Sequence, residues 1–495
     1  MAQEEVNSQA DLDLAQSEQL SSSSAKPKSG PTPPTLLENV IVPNIDENLR
    51  WDLEIADGKV VSRVPSTSTS PPSLMLPPLC HPHIHLDKPF ILTGHGSASG
   101  DFPSYTDLAP QSGSFQEALT NTSAAKARYT SEDLYLRGSQ LLAESCRRHK
   151  VTAARTFVEV DHVVKFKTVE TAVKLKRDFE HLIDVQICVF AQDPIFSTEH
   201  GDENRQLLLE VLDKFPNDIA ALGTTPYVEQ GADASEKDSA EVRNIEWAIN
   251  TAIEKGLHLD FHLDYNLDNT MQSSVFKVIS RLRDSDWLAN ARPGKTIVIG
   301  HCTQLTTRDE ALDQLRSLIT EPSQLPIHFV GLPTSDLFMM GRPDFRKNDM
   351  GTDYMPHSRP RGTMQIPSMI KDFGLNGCLG VNNVGNAFTP YGSGDPLQLA
   401  CWGTGIYQAG ATGDPELLYE CVSDRARKAI GLLPSENNCD EAKVPLPGLL
   451  IRNIEEMVLP GRKEGEKLTV PARQRLTIRD VVWDPPGSVL RTIVR

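Results

Sequence analysis

The sequence predicts an α/β protein: a (β/α)₈, TIM-like barrel with a small β-sandwich domain built from both ends of the chain. Three observations predict this fold. Eight short, apolar, β-rich runs recur along the middle of the chain, helical stretches alternate with them, and strand-like segments without helices precede and follow. We therefore divide the 495 residues into a disordered tail over 1–34, a barrel over 80–429, and a β-sandwich domain over 35–79 plus 430–495.

Composition and charge narrow the class of protein. Hydrophobic residues make up 39% of the chain and charged residues 23%, which is typical of a globular protein with a large core. The net charge of −17 argues against a nucleic-acid partner or an anionic membrane, because a protein that binds them should have a basic surface. A small neutral or cationic ligand is compatible with this charge.

The N-terminal segment and the cysteines indicate a cytoplasmic protein. Residues 1–34 are rich in Ser, Gln, Glu and Pro, which predicts disorder, and they lack the apolar stretch of a secretory signal. No apolar run approaches the roughly 20 residues of a membrane span. The eight cysteines are scattered without a CxxC pair, which is typical of reduced, buried thiols.

Short strands are predicted at both ends of the chain. LLENVIVP and WDLEIADGKVVSRV are rich in strand-forming residues, and Asp57-Gly58 supplies the positive φ values of a tight hairpin turn. After residue 430 the segments GLLIRN, MVLP, KLTVP, RQRLTIRDVVWD and SVLRTIVR also predict strands. We expect the two groups to share one β-sandwich.

Between these ends, predicted strands alternate with predicted helices. The strands are expected at 74–85, 152–157, 184–192, 221–227, 257–265, 296–302, 326–335 and 378–384. The helices are expected at 131–149, 168–181, 203–214, 239–255, 271–290 and 306–319. Strands that are joined by helices run parallel, and eight of them predict a closed barrel.

Four histidines lie where the predicted barrel strands end. The first strand ends in CHPHIHLDK, in which His83 and His85 are two positions apart and point to the same face. His262 ends the fifth strand and His301 the sixth. Active sites of such barrels lie at the carboxyl ends of the strands, where these side chains would meet.

Imidazoles that meet at one point are good ligands for zinc or iron. A single histidine at a strand end is more often a structural residue, and an HxH pair can lie on a solvated strand. Repeated placement at one end of a barrel is much harder to obtain by chance. We predict one divalent transition metal ion, zinc or iron, held by His83, His85 and His262, with His81 on the opposite face of the strand.

The HPHIHLDK segment, the later histidines and the flanking β-sandwich resemble the amidohydrolase superfamily, most closely its cytosine deaminase-like branch. There is also similarity to aminohydrolases of triazine-type rings. The resemblance implies that His83, His85 and His262 bind the metal. It further implies that His301 assists the attacking water or the substrate, and that Gln192, just beyond strand 3, contacts the substrate ring.

Two positions depart from the pattern of that branch. Tyr265 stands where the deaminases have a proton-shuttling glutamate, and Asn382 stands where strand 8 normally carries a metal-binding aspartate. An amide cannot accept a proton near neutral pH, and general acid–base groups typically contribute ~10²–10⁴-fold in rate. Asp264, Asp336 or Asp395 could take over the proton transfer, and Tyr265 could act as a weak acid. Asn382, Tyr265 and Asp264 are therefore candidate catalytic residues beside the strand-6 histidine.

Two further features leave alternatives open. Asp87 and Lys88 follow the HxH motif directly, and they either shape the site or form a local ion pair. The loop between strands 7 and 8, residues 339–363, is long and carries five arginines and lysines. It is either a lid or specificity element over the barrel mouth or a solvated crossover.

These features favour a metal-dependent hydrolase of non-peptide C–N bonds, most simply an aminohydrolase (deaminase) of a nitrogen heterocycle or cyclic amidine. Its partner would be a small-molecule substrate. Two alternatives stay open. One is a catalytically impaired barrel that retains metal or ligand binding, and the other is an amide or alkylamino hydrolase with different proton-transfer residues. Neither the substrate nor the oligomeric state follows from the sequence, and a homo-oligomer is compatible with it.

Overall fold

The structure of the protein is a computed structural model that describes residues 34–43, 45, 49–93, 102–268, 273–307, 309–340, 361–432 and 444–495. The predicted disordered tail lies outside these residues except for its last position. Most of the loop between strands 7 and 8 also lies outside them. The disorder of the tail and the role of the loop therefore stay predictions.

The first strands of the chain surround a tight hairpin. They are β1 (Thr35–Ile41), β2 (Trp51–Ala56), β3 (Lys59–Pro65) and β4 (Ser73–Leu76). β2 and β3 pair antiparallel, and between them Asp57 and Gly58 have φ values of 49° and 71°. The Asp-Gly pair thus forms the hairpin turn that it predicts.

Eight parallel strands form the central sheet. They are β5 (Leu79–His85), β6 (Val151–Glu159), β7 (Asp184–Ala191), β8 (Ile219–Thr224), β9 (His258–Leu263), β10 (Ile297–His301), β11 (Ile327–Gly331) and β12 (Gly377–Leu379). The ring closes where Ile84 of β5 bridges to Asn382 beyond β12. The His85 N–H donates to Asn382 O (2.9 Å), and the Asn382 N–H donates to His83 O (3.0 Å). The predicted (β/α)₈ barrel is confirmed.

Helices fill the connections between these strands. After β5 to β8 they are Phe115–Lys126, Ser131–Ala143, Lys167–Phe179, Gly201–Lys214 and Ala234–Lys255. After β9 to β12 they are Ser274–Asp284, Trp287–Asn290, Asp309–Thr320, Pro333–Met339, Ile366–Lys371, Pro396–Ile406, Asp414–Cys421 and Asp424–Ala429. Among the described residues, none of the helices is long and apolar enough to cross a membrane.

The longest of these helices, Ala234–Lys255, begins and ends at local sequence signals. Asp233 is its N-cap, and the carboxylate accepts hydrogen bonds from the backbone N–H groups of Ser235 and Glu236. The helix stops at Gly256, which has a φ of 68°, a conformation that costs glycine little.

The helix Asp424–Ala429 covers the amino-terminal end of the barrel. Buried residues of this helix and of the early part of the barrel strands form one apolar cluster, which includes Cys80, Ala153, Val298, Cys378, Ala426, Ala429 and Ile430. The cluster fills the floor of the barrel. The opposite, carboxyl-terminal end is therefore the one at which a site can open.

Both chain ends contribute to a second sheet. The late strands are β13 (Gly448–Ile451), β14 (Glu456–Pro460), β15 (Lys467–Pro471) and β16 (Arg491–Val494). Six strands pair in the order β16-β13-β4-β1-β2-β3, while β14 and β15 pair only with each other among the described strands. Early and late strands thus share one sheet, as expected from the sequence. The domain boundaries stay predictions.

Two of the predicted elements are wrong in detail. The run predicted as one strand over 74–85 is divided between β4 and β5, because Pro77 and Pro78 at the junction have no N–H to continue the pairing. RQRLTIRDVVWD, predicted as a strand, contains the helix Ile478–Trp483. Thr477 and Asp480 form a capping box that starts it, a local signal that outweighs the β-branched residues.

The hairpin turn gives a test of backbone conformation. Gly58→Ala should lower the free energy of unfolding by roughly 1–2 kcal/mol, because an L residue is strained at the positive φ of this position. Gly405→Ala, inside the helix Pro396–Ile406, should raise stability by about 0.5–1 kcal/mol. An added Cβ meets nothing within 4 Å at either position, so sterics do not interfere. Urea unfolding followed by circular dichroism would measure both, and shifts of the same sign would contradict this explanation.

Candidate functional site

Three histidines converge at the carboxyl end of the barrel. His83 and His85 lie on β5, and His262 lies on β9. The Nε2 atoms of His83 and His262 are 3.0 Å apart, and one ring nitrogen from each of the three residues lies within 4.8 Å of the others. All three side chains are buried. The alternation of side chains along β5 brings both members of the HxH pair to the inner face.

The electrostatic environment keeps these histidines neutral. Burial lowers the pKa of His83, His85 and His262 well below the ordinary value, and neighbouring cationic groups lower it further. Within the described part of the chain, the Nδ1 atom of each ring is buried without a hydrogen-bond partner. Three neutral imidazoles that each bring one ring nitrogen to the same point are the protonation state and the donor set that zinc or iron requires. The three residues therefore fit a divalent transition metal.

His81 is separated from this group although it belongs to the same strand. It points away from the barrel interior, and its Nε2 atom lies 3.3 Å from the hydroxyl of Ser145. Burial lowers the pKa of His81 to about 3, so it is a neutral, packed residue.

His301 pairs with a carboxylate beside the three histidines. Its Nδ1 atom lies 2.7 Å from Oδ1 of Asp336, and the other oxygen of Asp336 accepts a hydrogen bond of 2.7 Å from Thr363. The His301 ring is centred 5.2 Å from that of His262. Burial raises the pKa of Asp336, and the bond to His301 opposes this rise. His301 has a φ of 67°, a strained conformation of the kind that concentrates at functional sites.

Asn382 and Tyr265 both lie against these histidines. Asn382 is buried with a φ of 65°, and its backbone N–H donates to His83 O. The hydroxyl of Tyr265 donates to the backbone oxygen of Asp336 (2.7 Å), and its ring is centred 5.7 Å from that of His301. Burial raises the pKa of Tyr265, so the phenol keeps its proton at physiological pH.

The other two carboxylates considered from the sequence are engaged at helix ends. Asp264 accepts hydrogen bonds from the hydroxyl of Ser273 (2.5 Å) and the backbone N–H of Ser274 (2.9 Å) at the start of the next helix. Burial raises the pKa of Asp264, and these bonds oppose the rise. Asp395 caps another helix and lies 2.8 Å from Arg491.

Gln192 lies at the edge of a cavity beside the site. It follows β7, its side chain is nearly buried, and it lines a cavity of about 660 Å³ together with Phe115 and Tyr227. The ring of Phe115 is centred 5.0 Å from that of Tyr265, which in turn is centred 5.7 Å from that of His301, so aromatic rings link the cavity lining to the site. The cavity is large enough for a small heterocycle with a substituent.

Lys88 belongs to a buried ionic cluster rather than to a pair with Asp87. Its ammonium contacts Glu159 at the end of β6, and Lys126 lies 2.9 Å from the same carboxylate and 2.7 Å from Asp161. Asp87 instead accepts a hydrogen bond of 2.8 Å from the Glu159 backbone N–H. Lys88 also lies 5.0 Å from the centre of the Phe388 ring, at the barrel mouth.

Several contributors to the site were not singled out from the sequence. Glu159 holds Lys88, and the rings of Phe157 and Phe190 pack on His83 and His262 with centroids 4.1 and 4.3 Å apart. Glu159 ends a strand just as the histidines do, so position alone could have pointed to it. The two phenylalanines are ordinary apolar strand residues, and only the folded barrel shows their contact.

No family model matches the chain, and a protein of known sequence resembles part of it. N-isopropylammelide isopropyl amidohydrolase from Pseudomonas sp. (strain ADP) is 28% identical over 140 residues, which cover 28% of this chain and 32% of that protein. The match thus spans about a third of the length of the relative.

Solved structures resemble the whole barrel. 5-methylcytosine deaminase from Klebsiella pneumoniae, liganded with 5-fluorocytosine, superposes with a TM-score of 0.65 at 20% identity, covering 84% of this chain and 90% of that one. N-isopropylammelide isopropylaminohydrolase from Burkholderia multivorans gives 0.59 at 18% identity, covering 85% and 92%. At these identities the likeness shows that the chain shares the barrel fold of these enzymes, which is the fold that the resemblance of the HPHIHLDK segment and the later histidines implies.

Proposed function

We propose that this protein is a metal-dependent hydrolase of non-peptide C–N bonds, most simply an aminohydrolase of a nitrogen heterocycle or cyclic amidine. One observation carries the proposal. Three neutral, buried histidines meet at the open end of the barrel, and a histidine–carboxylate pair lies directly beside them. The first group suits a metal and the second suits proton transfer, which are the two requirements of hydrolysis at neutral pH.

His83, His85 and His262 would hold the metal. When bound, a divalent ion supplies Lewis acidity, which polarises the substrate and lowers the pKa of water at the site. Asn382, whose backbone N–H bonds His83 O, would offer only a neutral amide to such an ion. Zinc and iron both suit three imidazoles, so the identity of the ion is a matter for metal analysis.

His301 and Asp336 would move the proton. A carboxylate that accepts the Nδ1 proton of an imidazole fixes its tautomer and leaves Nε2 free to accept or donate a proton on the substrate side. The 2.7 Å contact between them has this geometry. Asp336 would thereby supply the negative charge that strand 8 lacks at Asn382. This pair favours a working hydrolase over a barrel that only binds a ligand.

The cavity beside the histidines supports a proposal for the substrate class. Gln192 could orient a ring by hydrogen bonding, and the aromatic side chains of Phe115 and Tyr227 suit a flat, partly apolar molecule. The names of the similar proteins, a 5-methylcytosine deaminase and two N-isopropylammelide hydrolases, point in the same direction. An alkylamino substituent as leaving group is the second candidate, since both N-isopropylammelide enzymes are named for that chemistry.

The decisive experiment is metal analysis of the purified protein, followed by a screen of heterocyclic amines. Ammonia release would support the aminohydrolase, and alkylamine or carboxylate products would support the second candidate. A protein that binds metal but turns over none of these compounds would overturn the proposal in favour of a binding protein.

The metal ligands can be tested by single substitutions. His83→Ala and His262→Ala should each remove most of the bound metal, because two remaining imidazoles hold an ion far less well than three. His81→Ala, on the same strand but bonded to Ser145, should keep it. Plasma emission spectrometry of the folded variants measures the content. Equal loss from His81→Ala would show that the wrong pair of histidines was chosen.

The proton-transfer role of Asp336 makes a second prediction. Asp336→Asn keeps the shape of the side chain but removes the charge, so kcat should fall by ~10²–10⁴-fold. Metal content should stay unchanged, because Asp336 is not among the proposed ligands. Thr363→Val is the matched control: it removes the donor to the other oxygen and should cost much less activity. Comparable losses in the two variants would indicate a structural role for Asp336.

The strand-8 amide makes a third prediction. The natural protein should have weak or no cytosine deaminase activity, because Asn382 cannot act as a base. Asn382→Asp should raise the rate, most clearly together with Tyr265→Glu, since residues of one proton relay are not additive. Ammonia release from cytosine measures all the variants. Efficient deamination of cytosine by the natural protein would contradict this prediction.

A further inference from the structure

A buried carboxylate lies behind the three histidines, deeper in the barrel. Asp260 is two residues before His262 on β9, so both side chains point inward. Its Oδ1 atom is 4.0 Å from Nδ1 of His83, and its Oδ2 atom is 3.7 Å from Nη1 of Arg155. The side chains of all three contacting residues, Asp260, His83 and Arg155, are completely buried.

The atoms that face each other across these gaps share one property. Within the described residues, Nδ1 of His83, both carboxylate oxygens of Asp260 and Nη1 of Arg155 are buried without a hydrogen-bond partner. Isolated buried polar atoms are rare, because each costs about 1–3 kcal/mol. These four atoms lie in a row: Nδ1 of His83 is 4.0 Å from one oxygen of Asp260, and the other oxygen is 3.7 Å from Nη1 of Arg155. Both distances are slightly longer than a hydrogen bond, which indicates that these bonds form when a metal holds the histidines in place.

Arg155 is anchored on its far side. Its Nε and Nη2 atoms donate to Oε1 of Gln186 (3.2 and 3.1 Å), and Nη2 also donates to the backbone oxygen of Ile430 (3.1 Å). Gln186 lies on β7, and Ile430 follows the helix that covers the barrel floor. The guanidinium therefore has a fixed position from which its remaining amino group points toward Asp260.

We propose that Asp260, held by Arg155, is the positioning residue for the metal ligand His83. It accepts the Nδ1 proton of His83, which fixes the tautomer whose Nε2 lone pair faces His262. Outer carboxylates of this kind orient ligating histidines and increase their basicity. The inference rests on the proposed metal site.

The test is the metal affinity of Asp260→Asn in the full-length protein. Competition of zinc against a chromogenic chelator should show a ~10–100-fold weaker affinity than in the natural protein. The visible absorption of the cobalt(II)-loaded variant should also change, since it reports the geometry of the ligands. The rise in melting temperature on adding zinc should shrink, which a merely structural role would not produce.

The control is Asp484→Asn, which breaks another aspartate–arginine pair, with Arg475, beside the helix Ile478–Trp483 and outside the barrel strands. It should lower stability with and without zinc alike and leave the affinity unchanged. Arg155→Lys keeps the charge but loses the hydrogen bonds to Gln186 and Ile430. It should therefore weaken the affinity for zinc several-fold, and it tests the inference even if Asp260→Asn fails to fold. Unchanged affinity in the folded Asp260 or Arg155 variant would overturn the inference alone. Absence of zinc binding by the natural protein would overturn the proposed function as well.

Discussion

The site depends on how the barrel closes. Two backbone hydrogen bonds join the segment after β12 to β5, and the residues that make them are His83, His85 and Asn382. The same contacts that complete the ring of strands therefore bring the first and last strands' functional side chains together. A slip in this register would turn the HxH pair outward, since side chains alternate along a strand. The same backbone pairing therefore closes the barrel and assembles the site.

The interior around the histidines contains an unusual amount of charge. Lys88 with Glu159, Arg155 with Asp260, and His301 with Asp336 are all buried. Buried ion pairs contribute little net stability, because desolvation offsets the attraction between the charges. Their position around and directly behind the histidines is therefore better explained by chemistry than by folding. The apolar floor under the helix Asp424–Ala429 supplies stability at the other end.

The sequence predicts the barrel well because its signals are local. Apolar strand runs, helix caps and the Asp-Gly turn act within a few residues, and the HxH pair follows from alternation along one strand. The helix Ile478–Trp483 was missed because its β-branched residues outweighed a short capping signal in our prediction. The pairing of His301 with Asp336, or of Lys88 with Glu159, joins different strands, and nothing in the local sequence specifies such partners. For Asp264 the local sequence is misleading. Its position suggests a catalytic acid, but its oxygens accept hydrogen bonds from the start of a helix.

The six-stranded sheet has a consequence for the order in which the protein is made. β4 lies between β1, which precedes it in the chain, and β13, which follows all eight barrel strands. A nascent chain that already contains the complete barrel still exposes one edge of β4. Its residues Leu74, Met75 and Leu76 are unpaired there until the β13 residues Ile451, Leu450 and Leu449 have been made. An unpaired apolar edge is a template for pairing with another chain. Biosynthesis thus passes through an interval in which all eight barrel strands have been made while the edge of β4 remains open to aggregation.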